Sequence, residues 1–445
     1  MKRNILTACL LLFVLFPVAA QSLQGSYFFE RSVQRNKLNA AFAPQVNYIS
    51  VPALGMASID VYSNVGLANF HFPTGAGTAT FMHPDVSADQ FLGQLPAASP
   101  YVFETLQVDL LGAGLRIGGQ GYLTVALSAN QDAWANVPND VFRYAKQGGD
   151  SFLEGPALNA RGYGMLSVGY SHDLSEYVEG LRVGGRLKLL AGLFAGGMRL
   201  TTVDVSTGSD AVTVTTAGDG WLSGGQFAGS KLKLGDIGFN GFGIAADLGV
   251  EYRLKFDGFV NGINLSAAVN DLGTPLRYNK HLSGFSIGGT ASYTGFGTLG
   301  ADTDYKAILD QFVKDLKSMT EVSEVDPEQP EAYRTGVTAR AGLEVPFLQE
   351  MMSVGMLYTH YAGPFLQYDN LTASCNLTPL HWLNLGVHYT FLGPANRLGF
   401  YAEFTPNKIA GFFFGLERAT FKTNRQHLAI SNFTGSSCFG VNVVF

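Results

Sequence analysis

Residues 284–288 read Gly-Phe-Ser-Ile-Gly, the Gly-x-Ser-x-Gly spacing that can present a serine hydroxyl for nucleophilic attack. That chemistry needs the serine on a sharp strand-to-helix elbow, beside a histidine and a carboxylate. Here the pentapeptide lies in an alternating, glycine-rich run with no helical pattern after it, so a hydrolase is not expected. Gly112, Gly114 and Gly118 likewise lack a following helix whose amides could hold a phosphate. The histidines are dispersed, and His381 and His388, seven positions apart, would face opposite sides of a strand and cannot share a metal. Neither metal nor cofactor is expected, and no enzyme.

A second set of chemically capable groups is Arg182, Arg186, Lys188, Asp247, Glu251, Arg253, Arg334, Arg340, Glu344, Arg397 and Glu403. Their meaning depends on the elements that carry them. From 241 to 253, Phe242, Ile244, Ala246, Leu248, Val250 and Tyr252 alternate with Gly241, Gly243, Ala245, Asp247, Gly249, Glu251 and Arg253. Successive strand side chains point to opposite faces, so every charge falls on one face; a helical period would mix the two sets. The same separation recurs at 181–193, 263–270, 334–345, 383–390 and 397–404. A soluble β-sandwich also alternates, but here the polar face is rich in glycine and poor in lysine, and the strands are too numerous for one sandwich.

Composition agrees. Glycine contributes 54 of 445 residues and charged residues only 14%, against about 25% in an average soluble chain. Hydrophobic residues reach 47%, yet mean hydropathy is only +0.13. Apolar residues are therefore spread in alternation rather than gathered into long runs, which excludes a disordered chain and a helical transporter. The N-terminus has a basic start, Lys2 and Arg3, an apolar core at 5–16, and small residues Val18, Ala19 and Ala20 before Gln21. This reads as a signal peptide over 1–20. Cys9 lies inside its apolar core and not after the cleavage site, so no lipid anchor is expected. The mature chain is acidic, with 27 basic against 35 acidic residues, which argues against nucleic acid as a partner.

These features predict an all-β fold: a closed antiparallel transmembrane barrel of about 14 strands, between about 12 and 16. Closure removes the edges that lipid could not solvate. Strand starts are expected near residues 55, 106, 119, 162, 181, 240, 261, 284, 334, 351, 365, 380, 396, 409 and 437, with 198–216 a further pair or an extended hairpin. Outward aromatics such as Tyr358, Phe400 and Phe412 are read as lipid contacts. Phe439, Val441, Val443 and Phe445 alternate with Cys438, Gly440, Asn442 and Val444 up to an aromatic C-terminal residue. This resembles the terminal strand signal that outer-membrane barrels present to their assembly machinery, which makes that machinery an expected partner through Phe445. Cys375 belongs to an outward set and Cys438 to an inward one, which disfavours a disulfide.

Counting strands backwards from a periplasmic C-terminus makes the turns at 378–380 and 405–408 periplasmic and the loop at 422–437 extracellular. The acidic segment 301–331 comes out extracellular. Its apolar residues Tyr305, Ile308, Leu309, Phe312 and Leu316 have helical spacing, ended by Pro327 and Pro330. It is read as a loop helix on the rim; the functional alternative is a lid.

Within 21–54, Asn39-Ala40-Ala41-Phe42-Ala43-Pro44 follows a polar stretch and precedes the first amphipathic strand. The segment resembles the Asn-Pro-Ala-containing N-terminal hatch of the long-chain fatty-acid transporter (FadL-like) barrels, with Ala40 where that family has proline. Asn270-Asp271-Leu272-Gly273 after a strand resembles porin-like members of the same superfamily, and the whole mature chain is similar to outer-membrane barrels of that superfamily with no assigned substrate. The resemblance implies that 21–54 folds into the lumen of the barrel 55–445 as a plug and that small apolar molecules have a route through it.

The expected function is therefore passive or gated uptake of a small apolar or amphiphilic ligand by a monomeric barrel in the bacterial outer membrane. The alternative is a scaffold that binds a surface or periplasmic partner. The inward charges then have two uses. Pairing with one another and anchoring the plug is the simpler. The other, considered for Arg182, Arg186 and Arg334, is to bind an anionic head group. Asn39, Ala40 and Phe42 complete the candidate plug and ligand residues.

Overall fold

Wherever apolar and polar residues alternate, the chain is extended and bonded to its neighbour. The computed structural model describes residues 23–445 apart from 76, 149–154, 208–211, 229–230, 234–237, 294–320, 327–331, 394, 407–408 and 420–432. The stretch 1–20, read as a signal peptide, therefore lies outside the described residues. Strand β1 is broken into Tyr48–Ser50 and Ala57–Ser63, and is followed by β2 (Tyr101–Ile117), β3 (Gly121–Asn136), β4 (Ala157–Asp173) and β5 (Leu181–Thr207). After β6 (Val212–Ser223) come β7 (Gly241–Lys255), β8 (Gly262–Gly273), β9 (Leu282–Tyr293) and β10 (Glu321–Val325). The chain ends with β11 (Val337–Phe347), β12 (Met352–Ala362), β13 (Gln367–Leu380), β14 (Leu383–Phe391), β15 (Arg397–Phe404), β16 (Ala410–Ala419) and β17 (Phe433–Val444).

All of these except β6, β9 and β10 form an antiparallel barrel of 14 strands. It closes where β17 pairs with both halves of β1, Ser50 opposite Asn442 and Ala57 opposite Phe439. Residues 51–56 bulge out of β1, and Leu54 is exposed. The wall stays closed there because Val51 donates to the Val441 carbonyl at 3.3 Å and Val441 to Leu54 at 2.8 Å. The wall thus begins at Tyr48, inside the stretch read as 21–54.

The run beginning near 284 is not part of the wall. β8 pairs directly with β11, whereas the far half of β5 continues past the wall and pairs with β6, then β9, then β10. Of the stretch 198–216, residues 198–207 belong to β5 and 212–216 to β6 of this extension. Period two is common to both kinds of strand, but Phe285 and Ile287 are buried, unlike outward residues of the wall. Of the acidic segment, Glu321–Val325 is strand where a helical loop was expected; the helical spacing at 305–316 lies outside the described residues.

The barrel is inside-out relative to a water-soluble protein. Leu187 is 68% exposed, whereas its chain neighbour Arg186 and the residue paired with Arg186 across the ladder, Asp247, face inward at 7% and 0% exposure. Exposed Val168, Phe242, Val354, Phe400, Phe414 and Phe439 continue the apolar exterior around the wall. Such a surface matches lipid and not water. The connections at the Phe445 end are short, as at 118–120, 348–351 and 381–382, while 64–100 and 137–156 at the other end are long. This is the turn asymmetry of an outer-membrane barrel with periplasmic termini. Cys375 is exposed and Cys438 is buried on the inner face, and both are free.

Candidate functional site

The inner face is polar, and the segment 23–47 lies against it. Tyr27 shares a hydrogen bond with Ser266 of β8 at 3.0 Å, Ser32 with Tyr401 of β15 at 2.9 Å, and Tyr122 of β3 donates to the Val46 carbonyl at 2.8 Å. Arg116 of β2 reaches the Pro44 carbonyl at 3.0 Å, and Arg340 of β11 the Leu38 carbonyl at 3.4 Å. These contacts tie the segment to β2, β3, β8, β11 and β15.

Charge fixes it further. Arg35 stacks on Phe42, 3.8 Å from the ring centroid, and meets Glu251 of β7 at 3.3 Å with both side chains buried. Lys37 pairs with Asp109 of β2. Arg186 of β5 donates to the Asn36 carbonyl and side-chain oxygen at 2.9 and 3.0 Å and to Asp247 at 3.2 Å. Asp247 is shared with Lys188 at 2.8 Å, and Lys188 also meets Asp271 at 2.7 Å. Opposite charges at these distances satisfy one another where an isolated charge would be costly.

The abundant inward glycines are seats. A Cβ at Gly342 would stand 2.7 Å from the Tyr27 ring, at Gly355 2.5 Å from Phe28, and at Gly386 2.9 Å from Phe29. Bare backbone lets three consecutive aromatic residues lie flat on three different strands. Asn39 spans β7 and β8, donating to the Val250 and Ala267 carbonyls at 3.2 and 3.3 Å, while its own oxygen accepts the Ala41 amide at 2.9 Å.

On the side of the segment away from the termini is a chamber of about 270 Å³. Asn36, Lys37 and Leu38 contribute its floor. Its walls hold Asp60, Asp109, Asp132 and Asp271 against Lys37, Arg186, Lys188 and Arg340, with Tyr62, Tyr163, Tyr361 and Tyr368 between them. Charges of the two signs are equal in number, and the tyrosines offer apolar ring faces with polar tips. Further from the termini an aromatic layer spans the lumen. Phe365, in the β12–β13 turn, stacks on Trp134 with centroids 5.0 Å apart and on Tyr333 at 6.1 Å. The Arg161 guanidinium lies 3.7 Å from the Tyr333 centroid and 4.9 Å from that of Phe365.

The candidate residues separate accordingly. Asn39, Ala40, Phe42 and Arg186 come together in the docked segment and its seat. Arg182 is engaged by Asp173 at 2.7 Å, and Arg334 is exposed outside β11, so the three arginines do not converge on a common ligand. Ser286 lies in mid-strand in β9, opposite Asp219 and Ser323, and not on an elbow. Sequence reasoning missed Asp109 and Asp132, although strand parity in β2 and β3 marks both as inward. It missed Arg35, Lys37, Tyr333 and Phe365 because these lie outside the wall, where no period orients a side chain.

A closed barrel with an apolar exterior, short turns at the terminal end and a polar interior defines a bacterial outer-membrane β-barrel protein. The chain belongs to the family of unknown function DUF5723, whose model matches residues 40–415. No curated protein matches it. Among solved structures, the Pseudomonas putida toluene transporter TodX is 11% identical, with 93% of this chain and 92% of that chain covered and a TM-score of 0.45. A TodX mutant described as a monoaromatic hydrocarbon channel is 11% identical, with coverages of 92% and 94% and a TM-score of 0.48. A Pseudomonas aeruginosa FadL homologue is 10% identical, with both coverages at 95% and a TM-score of 0.38.

Proposed function

We propose that the protein takes up a small amphiphilic molecule across the outer membrane, with the N-terminal segment as a displaceable plug and no covalent chemistry. The observation that carries this reading is the chamber between the docked segment and the aromatic layer. Five tyrosine rings, Tyr48 among them, supply apolar contact, and balanced charges supply hydrogen bonds without strong selection for one sign. The polar lining favours an amphiphile over a hydrocarbon, because a purely apolar molecule displaces the water that completes the hydration of these paired charges and offers no hydrogen bond in its place. Arg186 in this reading holds the plug and is not a head-group ligand. The barrel works as a monomer, and Phe445 serves assembly.

The test is single-channel recording and liposome uptake by the refolded barrel, with and without residues 21–54, using fatty acids beside polar solutes. Amphiphile flux that rises when the segment is removed supports the reading. Absence of flux in both forms favours the scaffold, a reading supported by the number of ion pairs that hold the segment in place.

A further inference from the structure

Beyond the wall, β3, β4, β5 and β6 run side by side, and the register sets their inner side chains in two rows. One row reads Trp134, Asn159, Gly197, Trp221, and the next Asn136, Ala157, Arg199, Asp219. These eight residues line one cavity of about 370 Å³ on the outer side of the aromatic layer, separate from the chamber below. The order of residue types matters. Gly197 has no side chain, and a Cβ there would meet the Trp221 indole nitrogen at 2.7 Å and the Asn159 side-chain oxygen at 2.8 Å. The Trp221 ring therefore leans across bare backbone towards Asn159. Around it stand two carboxamides, a guanidinium and a carboxylate. The Trp134 indole N–H and the Asn136 side-chain oxygen are buried with no hydrogen-bond partner, so one donor and one acceptor beside the cavity are left unsatisfied.

An aromatic platform ringed by fixed donors and acceptors suits a saturated ring whose C–H face lies on the indole while its hydroxyls reach the rim. A hydrocarbon ring would meet the platform but strip water from Asn136, Asn159, Arg199 and Asp219 without replacing it. We infer that this vestibule is a carbohydrate-binding site of mono- or disaccharide size, on the extracellular face of the barrel. It stands independently of whether anything passes through the lumen.

The chain has three tryptophans. Two are at this site, and Trp382 is at the opposite end against Phe404. A Trp382→Phe variant thus turns intrinsic fluorescence into a local reporter. The full mature chain, refolded in a zwitterionic detergent without a sugar head group, is titrated with glucose, galactose, N-acetylglucosamine, maltose and cellobiose, and separately with toluene. The expected result is a saturable emission change with at least one sugar, weakened about tenfold or more by Asp219→Asn and by Trp221→Leu, with Trp134 reporting in the latter. Heat-modifiable migration on gels verifies that each variant is folded; should Trp221→Leu fail this check, the Asp219→Asn comparison decides. No saturable response to any of these sugars at tens of millimolar, a response to toluene alone, or equal affinity in Asp219→Asn overturns the inference.

Discussion

Gly184 and Gly249 stand opposite each other on β5 and β7, and together they form the seat of Asn39 to Ala41. A Cβ at Gly249 would lie 1.9 Å from the Asn39 side-chain oxygen, and one at Gly184 2.1 Å from the Ala40 carbonyl oxygen. The polar segment and the wall thus meet backbone to backbone, with the cross-strand pair kept free of side chains.

Filling that seat should undock the segment while sparing the wall. In Gly249→Val the barrel is expected to fold, because its ladder is unchanged, but docking weakens by about 1–3 kcal/mol, the usual cost of overpacking. Limited proteolysis should then cut within 23–47 in the variant and spare that stretch in the parent. Equal protection in the variant would contradict the seat.

Arg186 and Arg334 should behave differently. Arg186→Ala removes two hydrogen bonds to Asn36 and one partner of Asp247, and bonds to a charged group are worth about 1.5–3 kcal/mol each. Arg334→Ala alters an exposed loop position. Only the first is expected to increase channel noise and segment proteolysis; matching effects would mean that anchoring is not the role of Arg186.

The Lys37–Asp109 pair is the clearest case for a double-mutant cycle. Lys37→Met alone leaves a buried carboxylate uncompensated, at about 3–5 kcal/mol. Adding Asp109→Leu should return most of that loss. Urea midpoints in detergent read both steps, and additive losses would show that the two side chains do not communicate.

Acid should loosen the segment through Glu30. Burial pushes its carboxyl up, but Arg253 and Arg35 outweigh burial and hold it below the ordinary value. A lowered folded value contributes docking stability that is complete above the ordinary carboxylate range, about 4.3, and is lost as pH falls through the depressed value. Segment release measured by conductance should therefore appear only below about pH 4, and Glu30→Gln should flatten that dependence. A pH profile unchanged by Glu30→Gln would assign the transition to other carboxylates.

Parity carried the wall and its charges, because a residue such as Asp247 can only point inward once Leu248 points to lipid. It could not separate β9 from the wall, since Phe285 alternates as regularly as Phe400 while packing inside an extension. Nor could it foresee the seats. Glycine on the inner face reads as tolerance of crowding, and only the placement of Tyr27, Phe28 and Phe29 shows which glycines serve as docking surface. Arg182 and Arg334 share the parity of Arg186, yet their partners are set by height along the barrel and by Arg334 lying beyond the strand end, which alternation does not encode.

The two free thiols lie on opposite sides of the wall, Cys375 towards lipid and Cys438 towards the interior. No covalent staple among the described residues therefore records the native arrangement. Unfolding erases the topology completely, and recovery depends on hydrogen-bonded pairing alone. The chain should return from urea into detergent with the same yield whether a reductant is present or absent, and the oxidising space it crosses in the cell has no say in how its strands find one another.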